Sequence, residues 1–239
     1  MSMALPKLNV PKYKMKLPSD GRTVNYRPFL VKEEKLLLLA TQSQDQEQLI
    51  VAIKDIMAAC TDVKDIDNLA TFDIEYLFLQ IRTKSVGESV KVSLTCPDDN
   101  ETTVEVDIPL DEIKVKKTRG HKTDLKITPE VTITMGYPSL DTFVSMNFVG
   151  ESDIGVDQVF EMAGSCIKTI SDPEQVYDCA DVPKKEIQEF FEGMDTKQFQ
   201  MIQDFFETMP KLTHTVKVMN PNTGVESDVV LEGLASFFG

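Results

Sequence analysis

The side chains with the most chemical potential in this chain are four cysteines, two histidines and a pair of adjacent aspartates. Residues 92–106 read VSLTCPDDNETTVEV: a strand, a Cys-Pro step opening on an acidic turn, and a second strand. That is the outline of a zinc-ribbon knuckle, in which two cysteines on a hairpin hold a metal. Cys96 has no Cys-x-x-Cys partner, because Asp98 and Asp99 stand where one is expected. A second stretch, VKVMNPNTGVESDVVL from Val216, has the same length and turn character but no cysteine, with Asn220-Pro221-Asn222 near where Cys96-Pro97 maps. Two hairpins holding one cysteine between them cannot supply the four ligands of a closed zinc site. The sequence predicts a hairpin without metal or cofactor, and a zinc-dependent binding module stands only as an alternative.

The other cysteines are as quiet. Cys60, Cys96, Cys166 and Cys179 are too widely and unevenly spaced for a disulfide framework. Cys60 follows Ile50, Ile53 and Ile56, and Cys166 follows Val156, Val159 and Ala163, at helical spacing. Both are expected to pack in the core as reduced thiols. His121 lies in a basic stretch and His214 leads into a strand, neither in a nucleophile or metal motif. There is no Gly-rich phosphate loop, and none of the 39 acidic residues stands out as half of an acid/base couple. No catalytic, cofactor-binding or metal residue is predicted, so the chain is not expected to be an enzyme. An unusually reactive Cys96 or Cys179 would reverse that.

The elements that position these residues can be read from periodicity. Tyr13, Met15 and Leu17 alternate with lysines, PSDG makes a turn, and RTVNYRPF returns, which predicts a hairpin. Helices are expected from about Leu30, over 46–60, and from Thr71 as N-cap to about Thr83, followed by a hairpin at 90–108. After a basic link, Val131, Ile133 and Met135 mark a strand region, and helices are expected at 139–147 and 156–170. Two acidic helices follow, the second with Asp195 as N-cap and Gln198 three residues on, then a hairpin at 214–231. The predicted fold class is α+β, mostly helical. It has an N-terminal lobe at 1–113, a basic link at 114–126 and a C-terminal lobe at 127–239. The two lobes are similar, each with a small antiparallel β-hairpin, and the repeated element order admits a pseudo-duplication.

The formal net charge is −14 over 239 residues, and it is unevenly placed. Residues 1–35 carry eight basic against three acidic residues, a net of +5, while residues 141–208 carry four against fifteen, a net of −11. This balance argues against nucleic acid and favours oppositely charged protein surfaces. No apolar run is long enough to span a bilayer, and the proline-broken N-terminus has no signal-peptide core, so no membrane is expected and the cytoplasm is.

The stretch LPKLNVPKYKMKLPSDGRTVNYRPFLVKEEKLLLLA at 5–40 resembles the baseplate hub and hub-assembly protein family of T-even-type contractile-tailed bacteriophages. FDIEYLFLQIRTKSVGE at 72–88, FFETMPKLTHTVKV at 205–218 and LEGLASFF at 231–238 agree with it. Some relatives carry fuller cysteine pairs in the hairpins, and this chain departs from them there. The resemblance implies a non-enzymatic structural or assembly protein of the tail baseplate's central hub, made late in infection. It implies contact with other hub proteins and with the tape-measure protein, oligomerisation within the hub, and a path from host cytoplasm during assembly to the virion baseplate. The alternative is a tail-assembly chaperone absent from the mature virion. Candidate contact residues are Lys12, Lys14, Lys16, Arg22 and Arg27 of the basic arm. Leu234, Phe237 and Phe238 form a terminal apolar group that is either tucked into the core or offered to a partner.

Overall fold

The computed structural model describes residues 8–43, 45–140 and 156–237. The basic arm forms a hairpin, β1 (Tyr13–Lys16) with β2 (Thr23–Tyr26), in register Tyr13 to Tyr26. Three helices follow: α1 (Val31–Ser43), α2 (Gln46–Cys60) and α3 (Thr71–Val86). Thr71 does not cap α3. Ala70 occupies the N-cap without a side-chain bond, and the Thr71 hydroxyl donates instead to the Pro138 carbonyl at 2.7 Å.

The second hairpin pairs β3 (Ser89–Thr95) with β4 (Thr103–Pro109). The basic stretch after it contributes two strands, β5 (Lys114–Lys116) and β6 (Asp124–Lys126). β5 joins the C-terminal hairpin of β10 (Lys211–Met219) and β11 (Glu226–Glu232) in a sheet ordered β11-β10-β5. β6 starts a four-stranded antiparallel sheet with β7 (Thr132–Met135), β8 (Ile167–Ser171) and β9 (Val176–Asp178). Around it lie α4 (Val156–Ser165), α5 (Lys184–Glu192) and α6 (Thr196–Thr208), and a 3-10 turn at Leu234–Phe237 closes the chain. Asp195 caps α6 in a capping box with Gln198, as its sequence predicts.

The expectation of a mostly helical chain is overturned: helix accounts for 35% and strand for 28%, a mixed α+β composition. The missed strands β5, β6, β8 and β9 have three to five residues, too few to display alternation. β8 was further disguised. Ile167 and Ile170 continue the apolar spacing of α4, which predicts helix to 170, but pairing of Ile167 with Met135 and of Ile170 with Ile133 draws the β-branched segment into the sheet. The expected helix at 139–147 lies, beyond Leu140, outside the described residues.

Buried side chains form two clusters. The larger unites Leu17, Val24 and Tyr26 of the first hairpin with Ile53, Ile56 and Met57 of α2, Leu77 and Ile81 of α3, Leu94 and Ile108 of the second hairpin, and Val216, Val218 and Leu231 of the last. The ends of the chain thus share one core. The smaller gathers Leu125, Ile133, Met135, Ile167, Phe191, Ile202 and Phe205. Between them runs a chain of rings: Phe72 edge-on to Tyr137 at 4.9 Å, Tyr137 stacked on Phe205 at 5.7 Å, and His121 against Phe205 at 4.9 Å.

Candidate interaction site

Three hairpin tips are built on one local plan, with Pro second and Gly or Asn fifth: LPSDG from Leu17, CPDDN from Cys96 and NPNTG from Asn220. Proline presets the second position, and the fifth takes positive φ, at 74° for Gly21, 55° for Asn100 and 74° for Gly224. In each tip the N–H of that fifth residue donates to the carbonyl of the first, at 2.9, 2.9 and 2.8 Å. The fourth residue, Asp20, Asp99 or Thr223, accepts from the N–H two residues on. The first residue is buried in all three: Leu17, Cys96 and Asn220 are exposed by 1%, 1% and 0%.

The second and third tips meet. The Asn220 amide donates to Asp98 Oδ1 at 3.0 Å and to Asp99 Oδ2 at 2.8 Å, while its Oδ1 accepts the Asn222 N–H at 2.9 Å. The Thr223 hydroxyl donates to Asp98, and the Asn222 amide to Thr102 Oγ1 at 2.9 Å. These donors hold both carboxyls below the usual range: Thr223 and then Asn220 for Asp98, and chiefly the Thr102 hydroxyl and the Glu101 and Thr102 N–H groups for Asp99. Asp98 and Asp99 are thus structural acceptors.

Burial, reinforced by the charges of Asp98 and Asp99, pushes the Cys96 thiol up, away from the thiolate that a nucleophile or a metal ligand requires. Burial also pushes Cys60 and Cys166 up to about 11 and raises Cys179. Among the described residues, no group of three or more His, Cys, Asp and Glu side chains is placed to hold a metal. His121 is half-buried in the ring chain. Its Nδ1 lies 3.0 Å from Thr208 Oγ1 and its Nε2 3.1 Å from the Tyr137 hydroxyl, and burial lowers its pKa.

The structure separates the proposed contact residues. Lys12, Lys14 and Lys16 are exposed along the first hairpin, as is Arg22, which lies 3.4 Å from Asp20. The hairpin beneath them is packed on the larger core, and the Ser19 N–H in its tip donates to Asp73 of α3 at 2.9 Å. Arg27 is engaged elsewhere: its Nη2 donates to Glu33 at 2.8 Å, and the Glu33 carboxylate also accepts the Leu30 N–H at 2.8 Å. Although burial opposes ionisation of Glu33, Arg27, that N–H and Lys32 hold its pKa below the usual value. Phe237 is wholly buried in the larger core. Leu234 lies in the closing 3-10 turn, and Phe238 lies outside the described residues.

Sequence reasoning missed Asn220, Glu33 and His121. The alignment of NPNTG with CPDDN marked Asn220's place but not its bonds, and Glu33 carried the weak signal of an acid in the first turn of a helix behind an Arg-Pro step. No signal in the sequence placed His121 among aromatic rings.

No curated protein and no solved structure matches the chain. A family model does, described as the T4 bacteriophage base plate protein, and it matches residues 10–239, taking in the three hairpins, both cores and the rings between them. The chain therefore belongs to the T4 bacteriophage base plate protein family.

Proposed function

We propose that this baseplate protein is a non-enzymatic structural subunit of the baseplate's central hub, acting through protein–protein contacts. The observation that carries the reading is the extent of the family match, residues 10–239, which leaves almost none of the chain for an unrelated activity. The hub assignment draws further support from the opening at 5–40 and the block at 72–88, whose residues resemble hub proteins. Among the described residues the buried polar groups are engaged in holding the fold, as Asn220 and Glu33 illustrate.

The contacts we assign to this role run through the outward face of the first hairpin. Lys12, Lys14, Lys16 and Arg22 stand in solvent on a hairpin fixed from beneath, so they present positive charge with little ordering cost. Other hub proteins and the tape-measure protein are the partners of this reading. Phage lacking the chain, supplied with it in trans or not, provides the test. Heads accumulating beside few complete tails, with recovery on complementation, is the expected result. Complete contractile tails at the usual number without the chain would overturn the reading.

A further inference from the structure

Helix α1 is unusual in which of its faces is apolar. The face turned inward carries Glu33, Leu37 and Ala40, a charged residue among them. The opposite face carries Val31, Lys35, Leu38 and Leu39 at i, i+4, i+7 and i+8, the spacing of one helical stripe. Val31 is 81% exposed, Leu38 57% and Leu39 55%, an apolar ridge standing in solvent. Lys35 lies within it, Lys32 and Glu34 flank it on either side, and it belongs to the part of the chain with net charge +5.

The acidic part of the chain carries an apolar recess. An open groove of about 390 Å³ runs between α4 and α6, floored by Ala163 and Ile202 and walled by Met162, Phe199 and Phe206. Glu207 stands at its edge, and Asp204 is exposed on the same helix. The surrounding segment, residues 141–208, has net charge −11. Within one chain, then, a basic apolar ridge and an acidic apolar groove occur on different cores.

We propose that copies of this chain associate head-to-tail, the Val31, Leu38 and Leu39 ridge of one copy seating in the α4–α6 groove of the next, with Lys35 facing Glu207. The chosen occupant is a second copy because its groove offers both the apolar lining and the opposite charge. Ridge and groove are different surfaces, so the contact is heterologous and generates a ring if its rotation closes. This goes beyond the hub reading and does not depend on it.

Sedimentation velocity of the purified full chain over a wide concentration range tests the proposal. We expect reversible self-association that raised salt weakens. Leu38→Glu/Leu39→Glu changes only side chains already in solvent, and should weaken association roughly thirtyfold or more with unchanged circular dichroism. Gln203→Arg/Glu207→Arg, also at exposed positions, should do the same from the groove side. Mixing these two assembly-defective variants is the decisive arm. Each retains the surface the other lacks, so the mixture should form a one-to-one dimer and nothing larger. A wild-type chain that stays monomeric at every concentration overturns the proposal. So does a mixture that gives no dimer, since that points to an isologous contact or to another partner on the ridge.

Discussion

The first and third hairpin tips share a backbone turn and differ in how their first residue is anchored. In the first, Leu17 enters the core as an apolar plug. In the third, Asn220 is as deeply buried but is held by hydrogen bonds to two carboxylates some 120 residues away in sequence. One local plan therefore accepts an apolar or a polar first residue, provided its surroundings match. The middle tip, led by Cys96, shows why this matters: its aspartates stand where a knuckle would place a second thiolate, and they accept from a neighbouring tip.

Truncation of the apolar first residue should do the most damage. Leu17→Ala leaves a cavity under the first tip and should cost about 3 kcal/mol, read by urea unfolding. The Leu17 side chain can neither donate to nor accept from a titrating group, so this cost should depend on pH less than the loss of a polar anchor does.

Asn220→Ala attacks the polar end and should cost about 2 kcal/mol at neutral pH, because the wholly buried Asn220 side chain loses its bonds to both carboxylates and to the Asn222 N–H together. Its pH dependence separates it from the first variant. The carboxyl pKa values of Asp98 and Asp99 are lowered from 3.8 in the folded state, so their stabilisation is present above 3.8 and is lost as pH falls below it toward the folded values. Removing Asn220 raises the folded values toward 3.8, so the variant should lose less stability on acidification than the wild type. An equal loss in both would show that Asn220 does not couple to the carboxylates.

The smallest effect tests the shared backbone plan. Gly224→Ala meets no neighbouring atom, so its cost of about 1 kcal/mol should come from the positive φ alone. Asn100→Gly, at the equivalent position of the middle tip, should change stability by no more than a few tenths of a kcal/mol, its conformational relief offset by greater freedom of the unfolded chain.

Much of this fold was legible because its signals are local. The apolar stripe of α2, the Asp195 capping box and the three Pro-led turns are each written within a few residues of the element they form. The short strands were not, because β8 becomes a strand only when β7 lies beside it, and its own spacing continues a helix. The helical bias of the sequence reading has that cause. In the candidate site, the exposed lysines of the first hairpin followed from alternation, whereas Arg27 could not be separated from them until Glu33 was seen beneath it. Buried polar partners distant in sequence, as between Asn220 and Asp98, leave no periodicity to read.

A structural subunit of this kind should remain in the finished baseplate. Quantitative mass spectrometry of purified phage particles, beside the lysate that produced them, tests it most directly. A fixed stoichiometry against other baseplate components is the predicted result, with a small copy number near a multiple of three or six. Abundance in the lysate with absence from particles would contradict it, and would make the chain an assembly chaperone whose contacts with the hub are transient.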